Sequence, residues 1–114
     1  MDFSKYEEAK VGAVSKTTIS AISEGKGKDF RTEGYWENTN LTKQQIGDAK
    51  EQPAIEIKTE NGASMVMNMP KGKVIHPKST LAKFKKTYGA YPSEGLSVDT
   101  KLDENGFNRI VIEG

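Results

Sequence analysis

The sequence predicts a mainly β domain with one principal helix, and two observations carry this prediction. Two Asn-Gly pairs, Asn61-Gly62 and Asn105-Gly106, each lie between strand-like flanks, which is the strongest short-range signal of a β-hairpin. Between the two predicted hairpins lies the only convincing amphipathic helix pattern in the chain. The 114 residues can bury one core but not two, so we expect a single domain over residues 1–114, with residues 1–10 loosely ordered.

Two further strands are predicted before the first hairpin. Residues 11–22 are rich in β-branched side chains, and apolar or small residues alternate along residues 28–37. The alternating residues are Phe30, Thr32, Gly34 and Trp36. The stretch EGKGKD between the two strands is typical of a flexible glycine loop. Residues 38–53 carry no sustained period, which predicts a long connection with one short helical turn after an Asn40 cap.

The principal helix is predicted over residues 79–88. Its apolar stripe, at positions i, i+3 and i+7, consists of Leu81, Phe84 and Tyr88. Ser79 is suited to cap the amino end, and Gly89 stands where a left-handed residue ends many helices.

The resulting order is four strands, one helix and two strands. Short antiparallel strands with a helix before the last hairpin favour a barrel of the oligonucleotide-binding (OB) type, with five to six strands. A five-stranded barrel leaves one strand additional, either residues 11–22 or residues 28–37. The alternative is an α+β architecture in which a half-open sheet packs on the helix.

The second half of the chain also resembles a known group of proteins. A Ser-x-Leu-x-x-Phe-x-x-x-Tyr-Gly helix end, a glycine-led strand and a final Gly-Phe hairpin occur in order within residues 65–112. In these features the segment resembles small phage and archaeal proteins of the OB fold. Where those proteins have Trp-Gly before the fourth strand, this chain has Glu94-Gly95. The resemblance implies the fold and transfers no catalytic residues.

The charge of the chain is unevenly distributed. Residues 61–93 contain six lysines and no acidic residue, whereas the rest of the chain sums to −5, although the net charge is only +1. A basic face of this kind is typical of phosphate binding, because each contact releases condensed counterions. The alternative is that the lysines only solvate a helix and its preceding loop. The six lysines are Lys71, Lys73, Lys78, Lys83, Lys85 and Lys86.

Aromatic residues and a second basic segment favour single-stranded nucleic acid as the partner. This segment is the glycine loop with Lys26 and Lys28, followed by Arg31, which is placed to grip phosphate in such barrels. Adjacent strand residues point to opposite faces, so we expect Tyr35 to be exposed for stacking on bases and Trp36 to lie largely in the core. In an OB barrel, however, the helix closes the end away from the usual binding face, and the LDENG tip of the last hairpin is acidic. The predicted nucleic-acid-binding residues are Lys26, Lys28, Arg31, Tyr35, Trp36, Lys71, Lys73, Lys78, Lys83, Lys86 and Tyr91.

Other functional classes receive little support from the sequence. With no cysteine and one histidine, His76, we expect no catalytic residues, no metal site and no cofactor. Without a membrane span or a signal-peptide pattern, we expect a cytoplasmic protein with no membrane partner. The alternative function is a small protein-interaction module or inhibitor. Met65, Met67 and Met69 repeat at period two and either fill the core or form a protein-binding surface.

Overall fold

The computed structural model describes residues 2–113. The described chain contains five strands and four helices. The strands are β1 (Val14–Lys26), β2 (Pro53–Thr59), β3 (Ser64–Asn68), β4 (Ser97–Leu102) and β5 (Asn108–Ile110). The helices are α1 (Gly27–Phe30), α2 (Glu33–Glu37), α3 (Lys43–Glu51) and α4 (Thr80–Tyr88).

The five strands form one antiparallel sheet in the order β3-β2-β1-β4-β5. Strands β3 and β5 also lie close together, so the sheet nearly closes into a barrel. With α4 between β3 and β4, this is the predicted mainly β, OB-like arrangement.

Strand β1 connects the two halves of the sheet. Its first part pairs with β4 from Val14 to Thr18, and its second part pairs with β2 from Ile19 to Lys26. The register shifts between Ile19 and Ala21, and such an irregularity increases the local bend and twist of a strand. One long strand can therefore belong to both halves of the barrel.

The core lies between the inner face of the sheet and α4. It includes Ile19, Ile57, Met67, Leu81, Phe84 and Val98. The predicted helix is confirmed, because the Ser79 hydroxyl accepts a hydrogen bond from the Ala82 backbone N–H and Gly89 ends the helix with φ of 75°. The predicted stripe is confirmed as well, with Leu81 and Phe84 buried and Tyr88 half-buried against the core.

The prediction of a strand over residues 28–37 was wrong. The segment forms α1 and α2, and β1 alone provides the first strand of the sheet. Local hydrogen bonds explain the difference: Asp29 accepts one from the Lys26 backbone N–H at 2.7 Å, and the Thr32 hydroxyl accepts one from the Tyr35 backbone N–H at 3.3 Å. Such caps favour helical turns over an extended strand.

The connection before β2 also contains more helix than predicted. Helix α3 spans nine residues, and Thr42 rather than Asn40 caps it. The Thr42 hydroxyl accepts from the Gln45 backbone N–H at 3.2 Å, and the Gln45 side chain accepts from the Thr42 backbone N–H at 2.9 Å. This reciprocal pair is a capping box.

Both predicted Asn-Gly hairpins are present, and the glycine of each turn has positive φ. Gly62 and Gly106 have φ near 85°, whereas Asn61 and Asn105 do not have positive φ. The Asn61 side chain donates a hydrogen bond to the Thr100 hydroxyl at 2.8 Å and accepts one from the Thr59 hydroxyl at 2.6 Å. The first turn is therefore tied to β4 by a polar network.

Candidate nucleic-acid interface

Residues 27–52, here called the insert, join β1 to β2 and contain α1, α2 and α3. The Gly27 backbone N–H donates to the Gln52 carbonyl oxygen at 2.9 Å and ties the two ends of the insert together. A Cβ atom at Gly27 would lie 2.4 Å from the Ala49 carbonyl oxygen, well inside van der Waals contact. Helix α1 therefore packs against α3 at a distance that only glycine permits.

Lys26 and Lys28 are held by one carboxylate. Each ammonium group lies 2.8 Å from a different oxygen of Glu51, at the end of α3. The hydrogen bonds from Lys26 and then Lys28 hold the pKa of Glu51 at about 2. The two lysines are thus not on a flexible loop as predicted, since Lys26 ends β1 and Lys28 lies in α1.

Arg31 and Tyr35, here called the platform, form an exposed cation–π pair. The Arg31 guanidinium carbon lies 5.0 Å from the centre of the Tyr35 ring, and Tyr35 is 46% exposed. Arg31 also donates a hydrogen bond to the Asn68 side-chain oxygen at 3.1 Å. This bond places the platform beside the last residue of β3.

Trp36 forms the centre of a small cluster inside the insert. It is buried at 4% exposure, with the Tyr35 ring nearly perpendicular at a centroid distance of 5.0 Å and the Lys50 ammonium 6.0 Å from its ring centre. The predicted burial of Trp36 and exposure of Tyr35 are both confirmed, although the two residues lie on α2 rather than on a strand. Because Trp36 is buried, it does not offer a free ring face for stacking.

The outer surface of β2 and β3 lies beside the platform. Side chains alternate along both strands, so that Ile55, Ile57 and Met67 face the core, while Lys58, Ser64 and Asn68 are exposed. We call the second set, with the half-buried Glu56 and Val66, the outer face. In OB barrels this face and its flanking loops are the usual oligonucleotide-binding surface.

A cavity of about 370 Å³ opens at the end of the outer face. It lies between the end of β3, the β3–α4 loop, Gln52 and the first turn of α4. Asn68 lines it, so the cavity and the platform meet at this residue. The cavity is lined by Gln52, Asn68, Met69, Pro70, Lys71, Val74, Ile75, His76, Lys78, Ser79, Thr80 and Leu81.

The β3–α4 loop is organised by His76. Its ring Nδ1 accepts a hydrogen bond from the Lys78 backbone N–H at 3.0 Å, and its carbonyl oxygen accepts from the Ser79 hydroxyl at 2.7 Å. Since Nδ1 is an acceptor, the neutral imidazole carries its proton on Nε2. His76 also lines the cavity.

The structure divides the predicted lysines into two groups. Lys71 and Lys78 line the cavity, whereas Lys83, Lys85 and Lys86 lie along α4 and do not line it. The Lys85 ammonium lies 4.7 Å from the ring centre of Tyr91, which follows α4. Lys73 is exposed in the β3–α4 loop and does not line the cavity. Within residues 2–113, none of the six lysines of the basic segment has a carboxylate within 4.0 Å.

Phe107 is an exposed aromatic that sequence reasoning missed. It is 63% exposed and shares a cleft of about 260 Å³ with Ser64, at the other end of β3 from Asn68. Its backbone N–H donates to Asp103, whose carboxylate also accepts from Arg109 at 2.6 Å, and these bonds lower the pKa of Asp103. The acidic hairpin tip is thus partly neutralised, and the Gly-Phe pair was the available signal for Phe107.

Met65 and Met67 of the methionine repeat lie on the inner face of β3, and Met69 directly follows the strand. Met67 is buried, and Met65 and Met69 are half-buried against the core. Core filling is therefore the arrangement that the structure shows for Met65, Met67 and Met69.

Comparison with protein-family models, with curated proteins and with solved structures found no match. The resemblance of residues 65–112 to small OB proteins therefore stays a prediction. Within the part of the chain that the structure describes, there is no cluster of three or more potential metal ligands among histidine and acidic side chains. Residues 2–113 also include no helix of the length and apolarity needed to cross a bilayer.

Proposed function

We propose that this chain binds single-stranded nucleic acid, without catalysing a reaction, on the outer face of β2 and β3. The observation that carries the proposal is the platform, where the Arg31 guanidinium lies 5.0 Å from the Tyr35 ring centre and is hydrogen-bonded to Asn68. It places an exposed aromatic ring and a cation together at the margin of this face.

The platform combines the two contacts that a single strand offers. Unpaired bases expose their ring faces, and stacking on an aromatic side chain is worth about 1–3 kcal/mol per base. Arg31 and Trp36 both lie against the Tyr35 ring, and the part of Tyr35 that stays exposed, 46%, is the part that a base can contact. A guanidinium also pairs with phosphate oxygens through several donors, so Arg31 suits the backbone beside the stacked base.

Charge supports the same partner. Six lysines and no acidic residue occupy residues 61–93, and the loop that carries Lys71 and Lys78 follows directly from β3. Within residues 2–113, no carboxylate lies within 4.0 Å of Arg31, Lys71 or Lys78, whereas Lys26 and Lys28 are paired with Glu51. Phosphates are expected to bind beside Arg31, Lys71 and Lys78.

The alternative of a protein-interaction module loses its main argument, since the methionines that favoured it face the core. The test below would support this alternative if no oligonucleotide binds at any salt concentration.

The test compares two tyrosine variants by titration with fluorescent single- and double-stranded oligonucleotides. Tyr35→Ala is expected to weaken single-strand binding by roughly 5- to 150-fold, which corresponds to about 1–3 kcal/mol for one stacked base. Tyr6→Ala is the matched control, because Tyr6 is 69% exposed and lies in the N-terminal segment outside the interface. Equal affinities for the two variants, both folded, would reject the platform as the stacking site.

A further inference from the structure

We propose that the cavity beside Asn68 binds the terminal nucleotide of the strand through a phosphomonoester at that terminus. The proposal rests on the proposed function and adds recognition of a strand end to it. It is carried by the cavity's size, its cationic lining and its junction with the platform.

The size of the cavity suits one nucleotide. Cavities that hold small ligands usually measure about 300–1,000 Å³, and the 370 Å³ here lies near the lower limit. A longer stretch of strand must therefore lie outside, on the outer face.

The charge of the lining suits a dianion. Lys71 and Lys78 line the cavity, and none of its lining residues is acidic. A terminal phosphomonoester carries about −1.5 to −2 at pH 7, whereas each internal phosphodiester carries one negative charge. Two lysines match the charge of the monoester, and His76 lines the same cavity.

The rest of the lining suits a base or a sugar. Met69, Pro70 and Ile75 are half-buried and give the cavity an apolar wall. A ligand with an apolar, flat part and a phosphate group satisfies both kinds of lining better than inorganic phosphate does.

The junction at Asn68 connects the cavity to the strand. Asn68 lines the cavity and accepts the hydrogen bond from Arg31 of the platform. A strand that stacks on Tyr35 and passes Arg31 therefore reaches the cavity directly.

The test uses three single-stranded oligonucleotides of one sequence that carry a 5′-phosphate, a 3′-phosphate or no terminal phosphate. A phosphate at one of the two ends is expected to raise affinity about tenfold, as for a charge-assisted contact, and a phosphate at the other end to have little effect. Lys71→Gln and Lys78→Gln should bring this ratio close to one. The Lys78 backbone N–H that bonds His76 remains in the variant, so the loop is expected to keep its conformation.

Lys16→Gln is the matched control. Lys16 is exposed on the part of β1 that pairs with β4, away from the cavity, so its loss removes the same charge without touching the lining. The ratio between phosphorylated and unphosphorylated strands should be unchanged, even if overall affinity falls slightly.

Three results distinguish a failure of the cavity proposal from a failure of the proposed function. Equal binding of all three oligonucleotides, or equal strengthening by a phosphate at either end, overturns the cavity proposal and leaves the proposed function standing. If no oligonucleotide binds, the proposed function fails, and a titration with a nucleoside 5′-monophosphate and a nucleoside 3′-monophosphate decides the cavity alone. Binding of either that is lost in Lys71→Gln supports the cavity, and no binding overturns it as well.

Discussion

The packing of the insert is best tested at Gly27. This residue is the first of α1 and directly follows β1, and a Cβ atom there would stand 2.4 Å from the Ala49 carbonyl oxygen of α3. Gly27→Ala therefore places a methyl group against a backbone atom that has no rotamer by which to move away.

The cost follows from the distance. Ordinary contact of a Cβ atom begins at 3.4 Å, so α1 and α3 must separate by about 1.0 Å (3.4 − 2.4) to accept the methyl group. Overpacking of this kind costs about 1–3 kcal/mol of folding free energy. The same shift lengthens the 2.9 Å hydrogen bond from the Gly27 N–H to Gln52.

Gly47→Ala is the matched control. Gly47 lies in the middle of α3 and is exposed, and no neighbouring atom among residues 2–113 lies within 4 Å of the place that a methyl group would take. There, alanine should stabilise the helix by about 0.5–1 kcal/mol, because glycine loses more backbone entropy on folding.

Urea unfolding measures both variants, with Trp36 fluorescence as a probe inside the insert. With a slope of about 1–3 kcal/mol per molar urea, Gly27→Ala is expected to lower the midpoint by roughly 1 M and Gly47→Ala to raise it slightly. Oligonucleotide binding should weaken in Gly27→Ala, since Arg31 follows α1 directly. Equal midpoints for the two variants would refute the tight contact between α1 and α3, and unchanged binding would show that α1 does not position Arg31.

Three further predictions concern the turn, the carboxylate of the insert and the basic helix. Asn61→Ala is expected to destabilise the fold by about 1–3 kcal/mol, because the hydroxyl of the buried Thr100 loses its hydrogen-bond donor. Asn105→Ala at the second turn should change stability by less than about 0.5 kcal/mol, and thermal melts measure both variants. Folding lowers the pKa of Glu51 from 4.5 to about 2, so the stability that its carboxylate contributes is present above pH 4.5 and lost as the pH falls towards 2. In urea titrations, Glu51→Gln should therefore be less stable than wild type at pH 7 and equally stable near pH 2. The double variant Lys83→Gln and Lys86→Gln should keep the slope of log affinity against log salt, since both residues lie away from the cavity, and a slope flatter by about 1.4 would instead place two phosphates on the helix.

Local signals account for the elements that the sequence predicted. Helix α4 has its cap, its apolar stripe and its terminal glycine within eleven residues, and each hairpin has its glycine at the turn. These features depend on neighbours in the chain, so they can be recognised without knowing the fold. The capping box of Thr42 and Gln45 belongs to the same class, and it was the available signal for α3.

The insert was harder to predict because its interactions are distant in sequence. The alternation from Phe30 to Trp36 fits a strand as well as two short capped turns, and the packing of Gly27 against α3 acts together with the local caps in favour of the turns. In the same way, Tyr35 was correctly expected to be exposed, although its position beside Asn68 depends on a bond between residues 37 positions apart.

The same reasoning explains where the positive charge is available. Lys26 and Lys28 look like a phosphate-gripping loop in the sequence, but Glu51 lies 23 to 25 residues further along and returns to them at the end of α3. A phosphate that binds there must compete with a carboxylate that stays ionised down to a pH of about 2. Arg31 is held instead by an amide oxygen and an aromatic ring, and no carboxylate among residues 2–113 lies within 4.0 Å of it. Phosphate binding at the insert is therefore expected to depend on Arg31 more than on the two lysines that precede it.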